Sequence, residues 1–334
     1  MTEARPRRTG RGGRRRAGGD GAPVVPDVEF TSYYGRPVVK ASPWEADIPA
    51  YLVLGGVAAG SSLLGAGADL TRRPALRRTG RLGGLVGITI SFVALVHDLG
   101  KPARFVNMLR VAKPTSPMSV GTWILSAYGP AAGIAGAAEL APVLDAVLPR
   151  KLRWTTRLLR SLARPAGIGA AVTGPAVASY TAVLLADTAT PAWHEAHREL
   201  PFVFVGSAAA ASGGLGMLGA PLTEAGPARR LAITGAVVEL AAEHRMEQSM
   251  GLAADALHQG RAGTLMKASK ALTAGGALLA AVAGHRSRAA SAVAGAALLA
   301  GSACTRFGIF EAGQDSARDP KYTVVPQRER LSER

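Results

Sequence analysis

The chain has a single cysteine among 334 residues, few aromatic side chains (5%) and charged side chains at only 19% of its positions. The lone Cys304 excludes a disulfide scaffold. It also excludes an iron-sulfur cluster held by this chain alone, because such clusters normally need four thiolate ligands. Charged residues make up about 25% of an average soluble domain, so their low share here is typical of another environment. Any redox metal must therefore lie outside this chain.

The sequence contains long apolar blocks: 48% of its residues are hydrophobic, and 41 are glycine. A transmembrane helix needs about 20 mostly apolar residues, and soluble domains do not bury many helices that are apolar on every side. The sequence therefore predicts an all-α fold, a polytopic membrane bundle of about eight transmembrane helices. The predicted spans are 48–70, 82–98, 121–141, 165–187, 200–220, 229–249, 265–284 and 288–307.

Small residues recur at helical spacing inside these blocks, as at Gly56 and Gly60 and again at Gly129 and Gly133. In lipid, small residues at this spacing allow helix backbones to approach closely, so the bundle is predicted to be tight. The alternative is that glycine is simply frequent in a chain of this composition.

The two ends of the chain differ from the apolar blocks. Residues 1–42 interleave arginine with glycine and contain no apolar block, which predicts a disordered tail. Residues 43–308 form the predicted eight-helix transmembrane domain. Residues 309–334 mix charges around Pro320 and Pro326, and they are predicted to be an extended arm that becomes ordered on a partner.

Basic residues are concentrated in the loops after the first, third, fifth and seventh predicted spans. By the positive-inside rule these loops are cytoplasmic, and both termini then lie on the opposite side of the membrane. The basic residues of these loops are Arg72, Arg73, Arg77, Arg78 and Arg81, then Arg150, Lys151, Arg153, Arg157, Arg160 and Arg164, then Arg229 and Arg230, and finally Arg286 and Arg288.

Five polar segments with a different character share the N-terminal face of an eight-span layout. They contain His, Asp, Glu, Trp and Pro, which is typical of a docking surface next to a site at one membrane interface. The alternative is that loops are polar in any case and that Trp44 and Trp193 belong to an aromatic belt. The segments are 42–51, 97–105, 113–119, 187–195 and the tail from Arg306 onward.

Four stretches in these regions resemble the NrfD/PsrC family, the membrane subunits of polysulfide reductase and related molybdopterin or cytochrome oxidoreductases. They occur in the family's order, and the resemblance extends over about residues 42 to 325. The four stretches are Tyr51 to Gly56, Asp98 to Phe105, Ser116 to Trp123 and Pro191 to His194.

The resemblance implies a multi-pass subunit of the plasma membrane that binds a quinone, with menaquinone expected, and carries no redox metal of its own. It also implies a docked ferredoxin-like subunit with [4Fe-4S] clusters, often completed by a molybdopterin or cytochrome catalytic subunit. Haem is a rival cofactor, but it needs two facing histidines, and the six histidines lie at span ends or in loops except for His244. Nucleic acid is not an expected partner, because the basic tail lacks interleaved aromatics.

A quinone site needs an apolar slot, hydrogen-bond donors and a proton supply at the interface, and Tyr and His are suitable donors. The resemblance implies a head group between the start of the first span and a tyrosine on a later span, which Tyr180 matches. Alternatively, Tyr180 packs with its hydroxyl on a backbone carbonyl. His97, Asp47 and Trp44 are the further quinone-binding candidates. Some family members have His or Asn near the start of the first span, where this chain has Trp44, Glu45 and Asp47. Asp47 could instead cap its helix.

Placing an ionisable side chain inside a membrane costs free energy, so such a residue is by default a candidate for a functional role. Glu239 and Glu243 share one face of the sixth span, and with Glu139 they are predicted to form a proton path. The alternative for Glu139 is an ion pair with arginines of the adjoining loops. The residues predicted to dock a partner are Asp98, Lys101, Arg104 and His194.

The sequence thus predicts an integral membrane subunit that exchanges electrons between a quinone and a docked iron-sulfur subunit, with proton translocation as an option. The direction of electron flow and the terminal substrate stay open. Two alternatives remain: a secondary transporter or ion-conducting protein, in which the membrane carboxylates belong to a substrate pathway, and a membrane anchor without a quinone site.

Overall fold

The computed structural model describes residues 36–101 and 103–332, so most of the predicted N-terminal tail lies outside the described residues. Within them the chain forms twelve α-helices and two 3-10 helices and no strand, which confirms the predicted all-α fold. The helices are α1 (Asp47–Leu70), α2 (Pro74–Asp98), α3 (Arg104–Met108), α4 (Pro117–Glu139), α5 (Ala141–Val147), α6 (Arg153–Ala186), α7 (Pro191–Glu195), α8 (Leu200–Gly219), α9 (Gly226–Ser249), α10 (Gly260–Val282), α11 (Arg288–Arg318) and α12 (Lys321–Ser332), with 3-10 helices at Arg150–Leu152 and Gly251–Leu257.

Six of the described helices are long and apolar enough to cross a membrane: α1, α2, α6 with its preceding 3-10 turn, α8, α10 and α11. A seventh span results if α4 and α5, which meet at a bend of 64°, are counted together. The remaining long helix, α9, has 24 residues but carries several charged side chains. The multi-pass helical bundle is confirmed, whereas the count of eight is not.

Local sequence signals mark where these helices begin and end. Pro74 and Pro117 stand in the first turns of α2 and α4, where a missing N–H costs nothing. The Ser287 hydroxyl accepts a hydrogen bond from the Ala290 N–H at the start of α11. After α2, Gly100 adopts φ +65°, a left-handed conformation that suits glycine and turns the chain into the following loop.

Close backbone contacts hold the bundle together. A Cβ on Gly80 of α2 would lie 2.6 Å from the Ser61 carbonyl oxygen of α1, and one on Gly214 of α8 would lie 2.6 Å from the Gly295 carbonyl oxygen of α11. Only glycine permits such approaches. By contrast, a Cβ on Gly129 or Gly133 of α4 would meet nothing within 4 Å. These two glycines therefore leave space beside α4 instead of joining it to a neighbour.

The C-terminal region differs from the predicted extended arm. The last long helix does not end at residue 307: α11 continues to Arg318, and α12 follows. The reason is that Ile309, Phe310 and Ala312 are buried and continue the apolar face of α11, with the Phe310 ring 5.5 Å from the ring of Trp193. Arg306 thus lies inside a helix instead of at its end.

Candidate functional site

A mostly apolar cavity of about 460 Å³ opens between α1, α2, α3 and α4. Its volume lies in the range of small-molecule sites, about 300–1,000 Å³. Part of the wall is an edge-to-face pair of Phe92 and Phe105, with ring centroids 4.9 Å apart. The lining residues include Tyr51, Ile88, Thr89, Phe92, Phe105, Leu109, Leu125, Ser126, Gly129 and Pro130.

Three of these lining residues carry a hydroxyl group, and they differ in what they can offer a ligand. The Thr89 hydroxyl donates to the Leu85 carbonyl and the Ser126 hydroxyl to the Thr122 carbonyl, both at 2.8 Å within their own helices. Each can therefore only accept a further hydrogen bond. The phenol of Tyr51, a residue 3% exposed, remains as a donor in this apolar wall.

The Asp47 carboxylate and the His97 ring meet at one end of this region. His97 Nδ1 lies 2.6 Å from Asp47 Oδ2, so the structure brings together two residues predicted for the quinone site. Asp47 precedes Tyr51 by four positions and lies on the same face of α1, one turn away. The His97 side chain is 79% exposed, so one member of the Asp47–His97 pair lies at the protein surface. The alternative role of Asp47 as a cap is not seen, since no side-chain cap is formed and Ala46 is the N-cap residue.

Trp44 and Tyr180 occupy different positions near this end of the bundle. Trp44 stacks on Trp193 with ring centroids 5.9 Å apart, and its backbone carbonyl accepts a hydrogen bond from Gln314 Nε2 at 3.1 Å. These contacts fix the approach to α1. Tyr180 is buried on α6, where a Cβ on Gly121 of α4 would collide with its ring. The Tyr180 hydroxyl has no hydrogen-bond partner among the described residues, so the predicted bond to a carbonyl is not formed.

Two further predicted residues, Glu239 and Glu243, are fully buried on one face of α9. Thr305 donates its hydroxyl to Glu239 Oε1 at 2.6 Å, while Glu239 Oε2 has no partner among the described residues. Lys270 of α10 lies 3.5 Å from Glu243 Oε1 and 2.7 Å from Glu247 Oε1. The carboxylates of Glu239, Glu243 and Glu247 follow one another at successive turns toward the end of α9.

Glu139 does not belong to this row. It is the last residue of α4, where its Oε1 lies 2.8 Å from Arg77 Nε and 2.9 Å from Arg81 Nη1. The predicted alternative, an ion pair with arginines, is therefore what the structure shows, but Arg77 and Arg81 lie inside α2 and not in a loop. The helices alternate in direction, which puts Glu139 at the opposite end of the bundle from Glu247.

The four residues predicted to dock a partner lie at the end of the bundle where Asp47 and His97 meet. Lys101 and Arg104 are exposed, and Arg104 Nη1 donates to the Leu99 carbonyl at 3.4 Å. Asp98 forms no ion pair with either of them in the described part of the loop. His194 is exposed on α7 and stacks on His197 at 5.9 Å. Lys101, Arg104 and His194 thus present exposed side chains at this end of the bundle.

Arg306 was not among the predicted site residues, yet its side chain is fully buried between α1, α8 and α11. Its guanidinium donates to the Leu52 and Phe204 carbonyls, each at 2.9 Å, and also to the hydroxyls of Ser207 at 2.8 Å and Ser302 at 2.9 Å. It also lies 4.8 Å from the centre of the Phe204 ring. A fork of five N–H groups suits such a site.

The described residues also show whether side chains that could bind a metal cofactor are grouped together. Within residues 36–101 and 103–332, no group of three or more His, Cys, Asp or Glu side chains could hold a metal ion. The apolar cavity next to Tyr51 accordingly fits a flat organic ligand better than an ion.

The comparisons with known proteins agree with the resemblance of the sequence motifs. The family model described as polysulphide reductase, NrfD matches residues 38–231, more than half of the chain. No curated protein matches the chain. The matched region includes α1 to α8, and with them the whole cavity and the Asp47–His97 pair.

Proposed function

Because the chain belongs to the NrfD, or polysulphide reductase, family of membrane proteins, we propose that it is the quinone-reactive membrane subunit of an oxidoreductase complex. In this proposal it exchanges electrons between a quinone, with menaquinone as the expected species, and a docked subunit that carries [4Fe-4S] clusters. The complex lies in the plasma membrane, and a molybdopterin or cytochrome subunit completes it. When bound, a quinone supplies the two-electron, two-proton chemistry.

The observation that carries the proposal is the cavity beside the Asp47–His97 pair. Its aromatic and aliphatic walls suit a quinone ring, and the Tyr51 phenol can donate a hydrogen bond to a ring carbonyl. The Asp47–His97 pair lies one turn from Tyr51 and exposes its imidazole, so it can pass protons between the cavity and water.

Tyr180 is the second candidate donor, although it is not among the residues that line the cavity. A buried hydroxyl without a partner is uncommon in a folded protein, because leaving it unpaired costs free energy. The Tyr180 hydroxyl is such a group, and Gly121 fixes the position of its ring. A ligand carbonyl that accepts this hydrogen bond would satisfy it. Trp44, anchored by Trp193, closes the same end of the bundle.

Two single substitutions test which tyrosine donates to the quinone. We expect Tyr51→Phe to weaken binding of a water-soluble naphthoquinone by roughly threefold to tenfold, the effect of one hydrogen bond of about 1 kcal/mol. Tyr180→Phe has the same expected effect if both hydroxyls contact the ring. Titration of the complex in nanodiscs measures both dissociation constants, and Tyr322→Phe on α12 is the matched control. Unchanged binding in both variants would contradict a tyrosine contact.

The buried carboxylates of α9 provide a route for protons in this proposal. Glu239, Glu243 and Glu247 follow one face of the helix, and Lys270 bridges the last two. We expect Glu243→Gln to lower proton transfer in proteoliposomes at least tenfold while quinone binding stays unchanged, because an amide cannot pass on a proton. Glu195→Gln, on α7 outside the row, is the control. Equal proton transfer in the two variants would remove Glu243 from the path.

The partner is tested by affinity purification from native membranes in mild detergent, followed by measurement of non-haem iron per mole of this chain. We expect several iron atoms in multiples of about four, because the chain itself has one cysteine and cannot complete a cluster. Background iron in an intact, anaerobically handled preparation would contradict the complex. A preparation that holds iron but binds no quinone would instead identify a membrane anchor.

A further inference from the structure

The start of α6 carries a row of arginines that the proposed redox function does not use. Arg153, Arg157, Arg160 and Arg164 stand at positions i, i+4, i+7 and i+11, which places them on one face of the helix. They occupy the first three turns, before the apolar part of α6. The row therefore lies at the membrane boundary, at the end of the bundle opposite to the Asp47–His97 pair.

This row borders two neighbouring clefts of about 390 and 380 Å³. The first lies between α5 and α6, and the second between the ends of α1, α2 and α4 and the side of α6. Arg160 lines both clefts. The charged residues that line them are Asp145, Arg153, Arg157 and Arg160 in the first and Asp69, Arg77, Arg81, Glu139, Arg160 and Arg164 in the second.

Positive charge exceeds negative charge in these clefts, because six arginines face only three carboxylates. The carboxylates are already engaged: Asp145 binds Arg160, and Glu139 binds Arg77 and Arg81. Asp69 lies 3.3 Å from Arg81 but 3.8 Å from Arg164, whose side chain is 66% exposed. Protein groups thus leave part of the arginine charge without a close anion.

Two buried arginine N–H groups without an acceptor in the described part of the chain also indicate that the clefts lack anions. Arg81 is 7% exposed, and its Nε has no hydrogen-bond acceptor among the described residues, although the residue lines the second cleft. The buried Nε of Arg153, which lines the first cleft, also lacks one. Unpaired buried N–H groups are costly, and guanidinium groups pair with phosphate oxygens in a two-bond geometry.

Apolar side chains continue from these clefts along the membrane-facing surface. Leu158 and Leu162 of α6 and Val143 and Val147 of α5 are exposed. We propose that the clefts bind the phosphate headgroup of an anionic phospholipid, whose acyl chains lie along these side chains. Basic pockets between transmembrane helices bind such headgroups, and the positive-inside rule places this end of the bundle at the cytoplasmic leaflet.

The test compares two charge-matched double variants of the full chain, purified with its partners and washed free of lipid in detergent. One is Arg160→Gln with Arg164→Gln. The control is Arg230→Gln with Arg286→Gln, two exposed arginines at the same end of the bundle, one near the start of α9 and one between α10 and α11. Native mass spectrometry measures binding of short-chain phosphatidylglycerol, short-chain phosphatidylcholine and inorganic phosphate to each.

We expect the unsubstituted protein to prefer phosphatidylglycerol over phosphatidylcholine and over inorganic phosphate. The cleft variant should bind phosphatidylglycerol roughly 30-fold more weakly, as expected from two arginines near an anionic lipid, and the control should be unchanged. Equal binding of both lipids, or equal loss in both variants, would overturn the proposal. Inorganic phosphate binding as tightly as the lipid would identify a phosphate site instead, and loss of a co-purified protein from the cleft variant with lipid binding intact would identify a protein interface instead.

Discussion

Replacing Gly129 with phenylalanine is expected to abolish quinone binding while the bundle stays folded. Gly129 lines the cavity that opens between α1, α2, α3 and α4, and a Cβ there meets nothing within 4 Å beyond its own chain neighbours, so a larger side chain enters open space. A phenyl group would occupy much of the space that a quinone ring needs. Pro130 follows Gly129 inside α4, and a side chain before a helical proline is sterically disfavoured, so loss of the glycine adds no helix stability.

The matched control for this variant is Gly275→Phe. Gly275 is an exposed glycine of α10, and a Cβ there likewise meets nothing within 4 Å. We expect Gly129→Phe to reduce binding of a naphthoquinone at least 100-fold in nanodisc titrations and to remove quinone-linked turnover, whereas Gly275→Phe leaves both near the unsubstituted values. If the two variants bind quinone equally well, the cavity beside Tyr51 is not the site.

The second large effect is expected at Arg306, and it concerns stability. Replacing this side chain with methionine keeps an unbranched chain of similar length but removes four hydrogen bonds to groups of α1, α8 and α11. The Leu52 and Phe204 carbonyls lose a donor inside the bundle. Leaving a buried hydrogen-bonding group unpaired costs about 1–3 kcal/mol, so we expect the loss of these donors to lower the stability by roughly 3 kcal/mol.

Reversible unfolding of the purified chain in mixed micelles measures this loss. Arg318→Met is the control, because Arg318 lies on the same helix with a side chain that is 62% exposed, and its cost should stay below about 0.5 kcal/mol. Arg306→Lys should recover only part of the stability, because an ammonium group cannot reproduce the fork of donors. A methionine variant as stable as the control would show that Arg306 does not hold these three helices together.

The positions of the long helices could be predicted from the sequence because each apolar block is about as long as a membrane is thick. Blocks at 48–70 and 200–220 coincide with α1 and α8 to within one residue at each end. The rule fails at Arg306, since it assumes that an arginine ends a span. In the folded bundle, neighbouring helices supply acceptors for the guanidinium, and no local pattern reveals that.

Residues at the edge of the cavity could be predicted from the sequence, whereas the cavity itself could not. His97 and Asp47 were identified from their positions at span ends, and the structure brings them within hydrogen-bond distance. The cavity itself depends on Phe105 and Leu109, which reach α2 and α4 only because the loop after α2 folds back as α3. Gly129 fits a packing pattern in the sequence, yet it faces open space, because spacing alone does not say which side of a helix has a neighbour.

Photoaffinity labelling with an azidoquinone shows whether a quinone occupies the cavity beside Tyr51. The purified complex in nanodiscs is illuminated with the probe, and the labelled peptides are identified by mass spectrometry. We expect saturable labelling of peptides from α1, α3 and α4 that contain Tyr51, Phe105 or Leu125, and loss of that labelling in Gly129→Phe. Saturable labelling confined to α9 and α10, or labelling that Gly129→Phe does not change, would contradict it.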